Sequence, residues 1–168
     1  DLNGDGIINS HDKCMISEYG KRPRIQYGLG VNVMYKNFDF GAFINGSAMR
    51  KVMISGIHPF LSGTLSTSGD KNVFKFVAED FWTEENRNAS YPRLGVLQSE
   101  VAGNHVSSTF WLRNGNFLRL KNVELGYTYK FCRLYVRGDN LAVFSPFDLW
   151  DPELNWNSYP LQRTVSVG

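Results

Sequence analysis

The chain has 168 residues, of which 42% are hydrophobic, 14% aromatic and 20% charged. That balance excludes a disordered tail, which carries more charge and fewer aromatics, and a net charge of +2 without a basic stripe excludes nucleic acid as a partner. No apolar run approaches the ~18–20 residues of a membrane helix, a test that is silent on membrane β-barrels.

The first element is a polar loop, residues 1–12, DLNGDGIINSHD. Asp1-x-Asn3-x-Asp5-Gly6-x-Ile8 follows the opening of an EF-hand loop, and Asp12 stands where the bidentate Glu usually is. Oxygen side chains at alternate positions wrap a hard cation, Gly6 permits the sharp turn, and the Ile7 carbonyl adds an oxygen. The expectation is a structural Ca2+ held by Asp1, Asn3, Asp5, Ile7 and Asp12, with Ile8 packing the loop onto the protein. Asp12 in the last place brings the match closer to dockerin-type loops than to cytosolic sensors. The competing reading is an Asx-rich turn without metal. No helix precedes the loop and no second copy follows, so it reads as a cross-link stiffening an outer loop rather than as a switch. An opening directly on a ligand position is expected of a piece of a longer chain.

Residues 24–48 alternate strictly. Ile25, Tyr27, Leu29, Val31, Val33 and Tyr35 share one face, and Phe38, Phe40, Ala42, Ile44, Gly46 and Ala48 continue it after a tight turn at Lys36-Asn37. Gln26, Gly28, Gly30, Asn32, Met34, Asp39, Gly41, Phe43, Asn45 and Ser47 form the other. A period of two this clean predicts a long β-hairpin, with Asn37 suited to a positive φ in the turn. Residues 49–116 break the pattern and read as a long loop with one short helix, capped by Ser68 or Asp70, with Val73, Phe74, Val77 and Phe81 on one side. Residues 117–140 predict a second hairpin. Val123, Leu125, Tyr127 and Tyr129 face one way, Asn122, Glu124, Gly126 and Thr128 the other, and the turn lies around Lys130–Arg133. Residues 141–162 form another long loop, with Pro146, Pro152 and Pro160, and 163–168 begin a last strand.

Alternation suits both a soluble β-sandwich and an outer-membrane barrel, which differ in whether the apolar face is buried or turned to lipid. Three features favour the barrel. The strands of the first hairpin match the ~9–11 residues that cross a bilayer. Short turns lie on one side and long loops on the other, as in outer-membrane barrels. Tyr35, Phe38, Tyr127, Tyr129 and Phe131 cluster beside the short turns, where an interfacial girdle belongs. No outward position of the first hairpin is charged, and Lys or Arg at mid-bilayer there costs roughly 2–4 kcal/mol. About five strands cannot close a membrane barrel, whose smallest forms have about eight. The fold class expected is therefore all-β: C-terminal antiparallel strands, about five of them, of a large transmembrane barrel with long extracellular loops and one short loop helix.

The motifs resemble the C-terminal part of SusC/RagA-type TonB-dependent outer-membrane transporters of the Bacteroidetes. The resemblance begins with DLNGDGIINSHD, Arg22-Pro23-Arg24-Ile25-Gln26-Tyr27-Gly28 and Tyr35-Lys36-Asn37-Phe38-Asp39. It continues through Asp80-Phe81-Trp82-Thr83-Glu84-Glu85-Asn86 and Tyr91-Pro92-Arg93-Leu94. STFWLRNGNFLRLKNVELGY, Ser108 to Tyr127, is its most specific block, and Asn140-Leu141, Asp151-Pro152-Glu153, Tyr159-Pro160 and Arg163 complete it. Glu84 and Arg87 stand where the family commonly has prolines, and the family's last strand runs past the position of Gly168 to a terminal aromatic. The resemblance implies the last strands of a barrel of about 22 strands, without the N-terminal plug, the TonB-contacting segment and most of the barrel. It further implies nutrient import, of glycan or peptide, energised by the TonB complex, with a SusD-like surface lipoprotein as partner and the bacterial outer membrane, with its lipid, as location.

An enzyme is not expected. His11, His58 and His105 are isolated, no catalytic motif is present, and adjacent Glu84-Glu85 read as solvated charge. Cys14 and Cys132 lack metal-site spacing and read as two free thiols. Trp82, Trp111, Trp150 and Trp156 offer stacking surfaces for ligands or, more simply, packing within folded loops. Arg93, Arg113, Arg119 and Lys121 are expected to pair with lumen carboxylates such as Glu124. The sequons at Asn45 and Asn88 are chance matches in a bacterial outer membrane. The alternative architecture is a soluble, calcium-stabilised β-sandwich that binds carbohydrate; a dockerin-like assembly module would carry a second calcium loop.

Overall fold

In the computed structural model, which describes residues 2–7, 10–54, 74–94, 104, 107–154 and 158–168, the alternating segments form one antiparallel sheet. Its strands are β1 (Ile25–Tyr35), β2 (Phe38–Ala48), β5 (Phe117–Tyr129), β6 (Cys132–Phe144) and β7 (Thr164–Val167), in the spatial order β1-β2-β5-β6-β7. The short strands β3 (Lys51–Met53) and β4 (Leu112–Asn114) pair separately. The chain forms two compact units, Asp1–Met53 with Leu112–Gly168, and Ile54–Trp111.

β1 and β2 pair without interruption from Ile25↔Ala48 to Tyr35↔Phe38, so the alternation of the sequence becomes two chemically distinct faces. Ile25, Tyr27, Leu29, Val31, Val33 and Tyr35 are all exposed. A sandwich would bury that face against a second sheet. Here it is an apolar surface open to its surroundings, as the barrel reading requires. Strand β6 runs to Phe144, so the second hairpin is longer than residues 117–140 and spans 117–144. Among the described residues, no helix is long and apolar enough to cross a membrane.

Both tight turns have two residues, and in both the first is a lysine in the left-handed region: Lys36 at φ 53° and Lys130 at φ 52°. Asn37, expected to carry the positive φ, does not. One left-handed residue at the first central position is enough to match the turn to the twist of the strands. Each lysine ammonium sits over the preceding tyrosine, 5.3 Å from the Tyr35 ring centre and 5.4 Å from that of Tyr129. The Asn37 carbonyl accepts the Thr128 amide at 2.8 Å, which joins the first turn to β5. Phe38 and Tyr127 pack at 4.7 Å between ring centres, and Phe131 is 99% exposed, so the aromatics gather at the turn end as expected.

The β5 strand is not regular. Asn122 pairs with Phe43 but Leu120 with Ile44, which leaves Lys121 bulged, and on the other side that single residue faces Asn140 and Leu141, with Asn140 at φ 53°. An extra residue moves every side chain beyond it to the opposite face. Arg119 and Lys121 are thereby brought to the same inward face as Asn122, Glu124 and Gly126.

The unit Ile54–Trp111 contains helix α1 (Lys75–Glu79), shorter than expected. Phe74 is its N-cap and makes no side-chain cap bond, so the helix starts too late for Ser68 or Asp70 to cap it; both, with Val73, lie outside the described residues. Val77 is fully buried, while Phe81 has left the helix and bridges to Tyr91.

Candidate functional site

The inward face of the sheet carries two ion-pair clusters. Near the turns, Asp39 on β2 and Arg133 on β6 meet across β5 at 2.6 Å. They reach each other because Gly126 lies between them: a Cβ there would fall 2.5 Å from the Asp39 carboxylate and 2.7 Å from the Arg133 guanidinium. Arg133 also pairs with Glu124 at 2.6 Å, and Arg137 lies 3.9 Å from Glu124 and 3.0 Å from Asp139. The network is open, with the Arg133 side chain 41% exposed. Such a ladder of alternating charge suits a wetted wall that meets polar matter.

At the other end the cluster is buried. The Arg119 side chain, 3% exposed, contacts Asp151 at 2.5 Å and Glu153 at 3.0 Å, and Lys121 lies 3.5 Å from Glu153. Arg50, between β2 and β3, donates from Nε to the Lys21 carbonyl at 2.9 Å and from Nη1 to the Pro152 carbonyl. Burial pushes the Arg50 guanidinium down from its usual pKa, against the opposing pull of Glu153. The Arg50 amide bonds Asn116 Oδ1 at 3.1 Å, and the Gly115 amide bonds the Arg50 carbonyl at 3.0 Å. Three stretches of chain, residues 20–24, 49–50 and 151–153, are thus tied to the outer end of the sheet. On the apolar face, Tyr27 lies across Gly46 and donates to the Phe117 carbonyl at 3.0 Å, a stitch from β1 to β5.

Arg119 and Lys121 pair with Asp151 and Glu153, and Glu124 pairs with Arg133 and Arg137 instead. The roles of Arg50, Asp151 and Glu153 were missed. A signal for the phase change was present: Leu118 and Leu120 are followed by Val123 and Leu125, a spacing of three where alternation requires two.

Of the calcium ligands, Asp1 lies outside the described residues, as does Ile8. Asn9 lies outside them too, and the hydrogen bonds of residues 2–7 and Asp12 are those of an Asx-rich loop. The Asp12 carboxylate accepts the Leu2 amide at 2.7 Å, closing the loop on itself. Asn3 Oδ1 accepts the Asp5 amide at 3.0 Å, Asp5 Oδ1 accepts the Ile7 amide at 2.8 Å, and Gly4 and Gly6 have φ of 77° and 79°. Asn3, Asp5, the Ile7 carbonyl and Asp12 form an all-oxygen donor set that fits a hard cation. Among the described residues, no three His, Cys, Asp or Glu side chains gather into a metal site.

Trp111 is buried and donates to the Asn104 carbonyl at 2.8 Å, and Trp150 donates to the Ser158 carbonyl at 3.1 Å, so both serve packing. Trp82 is partly exposed; Trp156, His58 and His105 lie outside the described residues. Cys14 and Cys132 are exposed free thiols. Within Ile54–Trp111, Asp80 is the hub: hydrogen bonds from Ser90, hydroxyl and amide, and from Asn86 hold its carboxyl below the usual range.

A sheet of membrane-length strands, apolar on one face and charged on the other, with tight turns at one end and long connections at the other, is a stretch of outer-membrane β-barrel wall. The comparisons agree. The chain matches the TonB-dependent receptor SusC of Bacteroides thetaiotaomicron at 31% identity over 189 residues, covering all of the chain and 17% of that relative. It matches the TonB-dependent receptor P26 of Formosa agariphila at 30% identity over 193 residues, covering all of the chain and 18% of the relative. The RagAB peptide importer in its open-open state superposes with a TM-score of 0.59, at 23% identity, over 89% of this chain and 17% of that one. No family model matches the chain. Over its whole length the chain matches a segment of SusC-type TonB-dependent receptors, which are proteins of the bacterial outer membrane. It spans less than a fifth of the length of the relatives it matches. Those relatives are receptors and importers rather than enzymes.

Proposed function

We propose that the chain supplies barrel wall and outer rim to a nutrient importer that takes up glycan or peptide, is energised by the TonB complex, and works with a SusD-like surface lipoprotein. The observation that carries this reading is the two-faced sheet, in a chain that matches TonB-dependent receptors over its whole length. The charged face lines the lumen, the apolar face meets lipid, and the long connections leave on the extracellular side. No residue is assigned a catalytic role. The test is uptake by cells carrying the intact receptor. Loss of TonB should abolish uptake while leaving the receptor in the outer membrane, and a tagged receptor should co-purify with a surface lipoprotein. Uptake that continues unchanged without TonB overturns the energised-import reading.

We also propose that residues 1–12 hold a structural Ca2+ through Asp1, Asn3, Asp5, the Ile7 carbonyl and Asp12. Support comes from the closure of the loop by Asp12 and the positive φ of Gly6. Asp5→Ala in the intact receptor should abolish calorimetric calcium binding and leave the barrel folded. Absence of binding by the wild type at millimolar calcium rules the site out.

A further inference from the structure

The cavity between residues 21–23, the outer ends of β1 and β2, and Glu153 has a volume of about 640 Å³. Ligand sites of small molecules span roughly 300–1,000 Å³. Gln26, Asn45 and Ser47 line it from the inward face of the sheet and Phe117 from β5, while Arg50 and Glu153 close its outer side.

Its wall is chemically unfinished. Ser47 is 2% exposed, and its hydroxyl oxygen meets no hydrogen-bond partner. Asn45 Oδ1 is buried and unpaired in the same way, while its amide nitrogen is turned to Glu153 Oε1 at 3.4 Å. Buried polar atoms are almost always paired, so two such oxygens in residues lining one cavity call for a donor from outside the chain. The charges are unequal as well. Lys21 and Arg22 stand exposed at the mouth and Arg50 lies behind them. The opposing Glu153 is already engaged by Arg119 and Lys121.

We propose that this cavity is a ligand subsite for a sugar unit bearing a carboxylate or sulfate. Its hydroxyls donate to Asn45 Oδ1 and Ser47 Oγ, its acid group lies against Lys21 and Arg22, and its C–H face meets Phe117. A sugar ring suits the wall better than a peptide. Vicinal hydroxyls bring several donors within one ring, whereas a peptide offers one N–H per ~3.3–3.6 Å of extended chain, each beside a carbonyl that these acceptors repel. The subsite rests on the importer reading.

The test is calorimetric titration of the purified intact receptor with digalacturonate, with a neutral disaccharide, and with an acidic tripeptide. Digalacturonate should bind, and more tightly than the neutral sugar. Ser47→Ala should weaken it at least about fivefold while the melting temperature stays level or rises, because the change removes an unpaired buried hydroxyl. A merely structural hydroxyl would leave binding unmoved. The Lys21→Gln/Arg22→Gln double variant should bring digalacturonate down to the affinity of the neutral sugar. The proposal is overturned if no saccharide binds at millimolar concentration, if neither variant changes binding, or if the tripeptide binds and the sugars do not. A receptor that imports a nutrient yet binds none of the probes loses the subsite and keeps its function. One that imports nothing loses the importer reading, and the titration still decides the cavity.

Discussion

The two ends of the inward face carry similar residues under opposite conditions. At the turn end Arg133 meets Asp39 and Glu124 in the open; at the outer end Arg119 and Asp151 meet almost fully withdrawn from water, with Glu153 partly exposed beside them. Exposed pairs are screened and exchange readily with water and salt. A buried pair is different, since removing one partner strands the other as an uncompensated charge. The contrast teaches that the outer cluster fixes shape, holding residues 151–153 to the sheet, whereas the turn-end network sets the electrical character of the wall and leaves it adaptable.

The largest expected effect comes from breaking the buried end. Arg119→Met leaves the buried Asp151 without its cation and Glu153 with Lys121 alone, and should cost about 3–5 kcal/mol. It should appear as a lower melting temperature of the intact receptor and faster amide exchange over residues 145–154. Replacing Asp151 and Glu153 by Asn and Gln in the same background should recover part of the loss. Tyr27→Phe keeps the ring over Gly46 and removes only the bond to the Phe117 carbonyl, for about 1 kcal/mol, read as a modest melting shift without change at the turns. Asp80 sharpens the contrast as a carboxylate held by hydrogen bonds from Ser90 and Asn86. Its folded pKa is depressed, so its contribution is full above the unfolded value near about 4 and fades as the pH falls through the folded value. Exchange of the Ser90 amide should accelerate below that range, and Asp80→Ala should make it fast at neutral pH. Arg133→Gln should do least: melting temperature nearly constant, and a small change that vanishes at high salt. A shift as large as that of Arg119→Met would erase the distinction between the two ends.

Much of the wall was legible in the residues. The first hairpin has an unbroken uncharged band on one face and no irregularity in its pairing, so its register and apolar band follow from alternation, while the left-handed turn residue is Lys36 and not Asn37. The second hairpin was readable only on the turn side of Lys121. Beyond it the phase changes, and Arg119 between Leu118 and Leu120 reads as ordinary alternation until the spacing from Leu120 to Val123 is noticed. The partners of Arg119 were hidden for a different reason. Asp151 and Glu153 are more than thirty residues away along the chain, and ion pairs leave no periodic trace. Helix α1 was recognised by its apolar spacing, but its start was set too early, since it begins at Lys75 with Phe74 as its N-cap. The winding of residues 2–7 was legible as a pattern, since its positions are local and Gly4 and Gly6 take the positive φ; the calcium itself stands as a proposal.

The order of pairing has a consequence for how this wall is made. Within each hairpin, β1 to β2 and β5 to β6, the strands are joined by two residues and zip locally. The seam between β2 and β5 must bring together segments separated by residues 49–116, an entropic cost of about 4 kcal/mol before its first contact forms. Closing it costs more chain entropy than closing either hairpin, and the Tyr27 and Asn37 bonds to β5 lie across that seam as its fasteners.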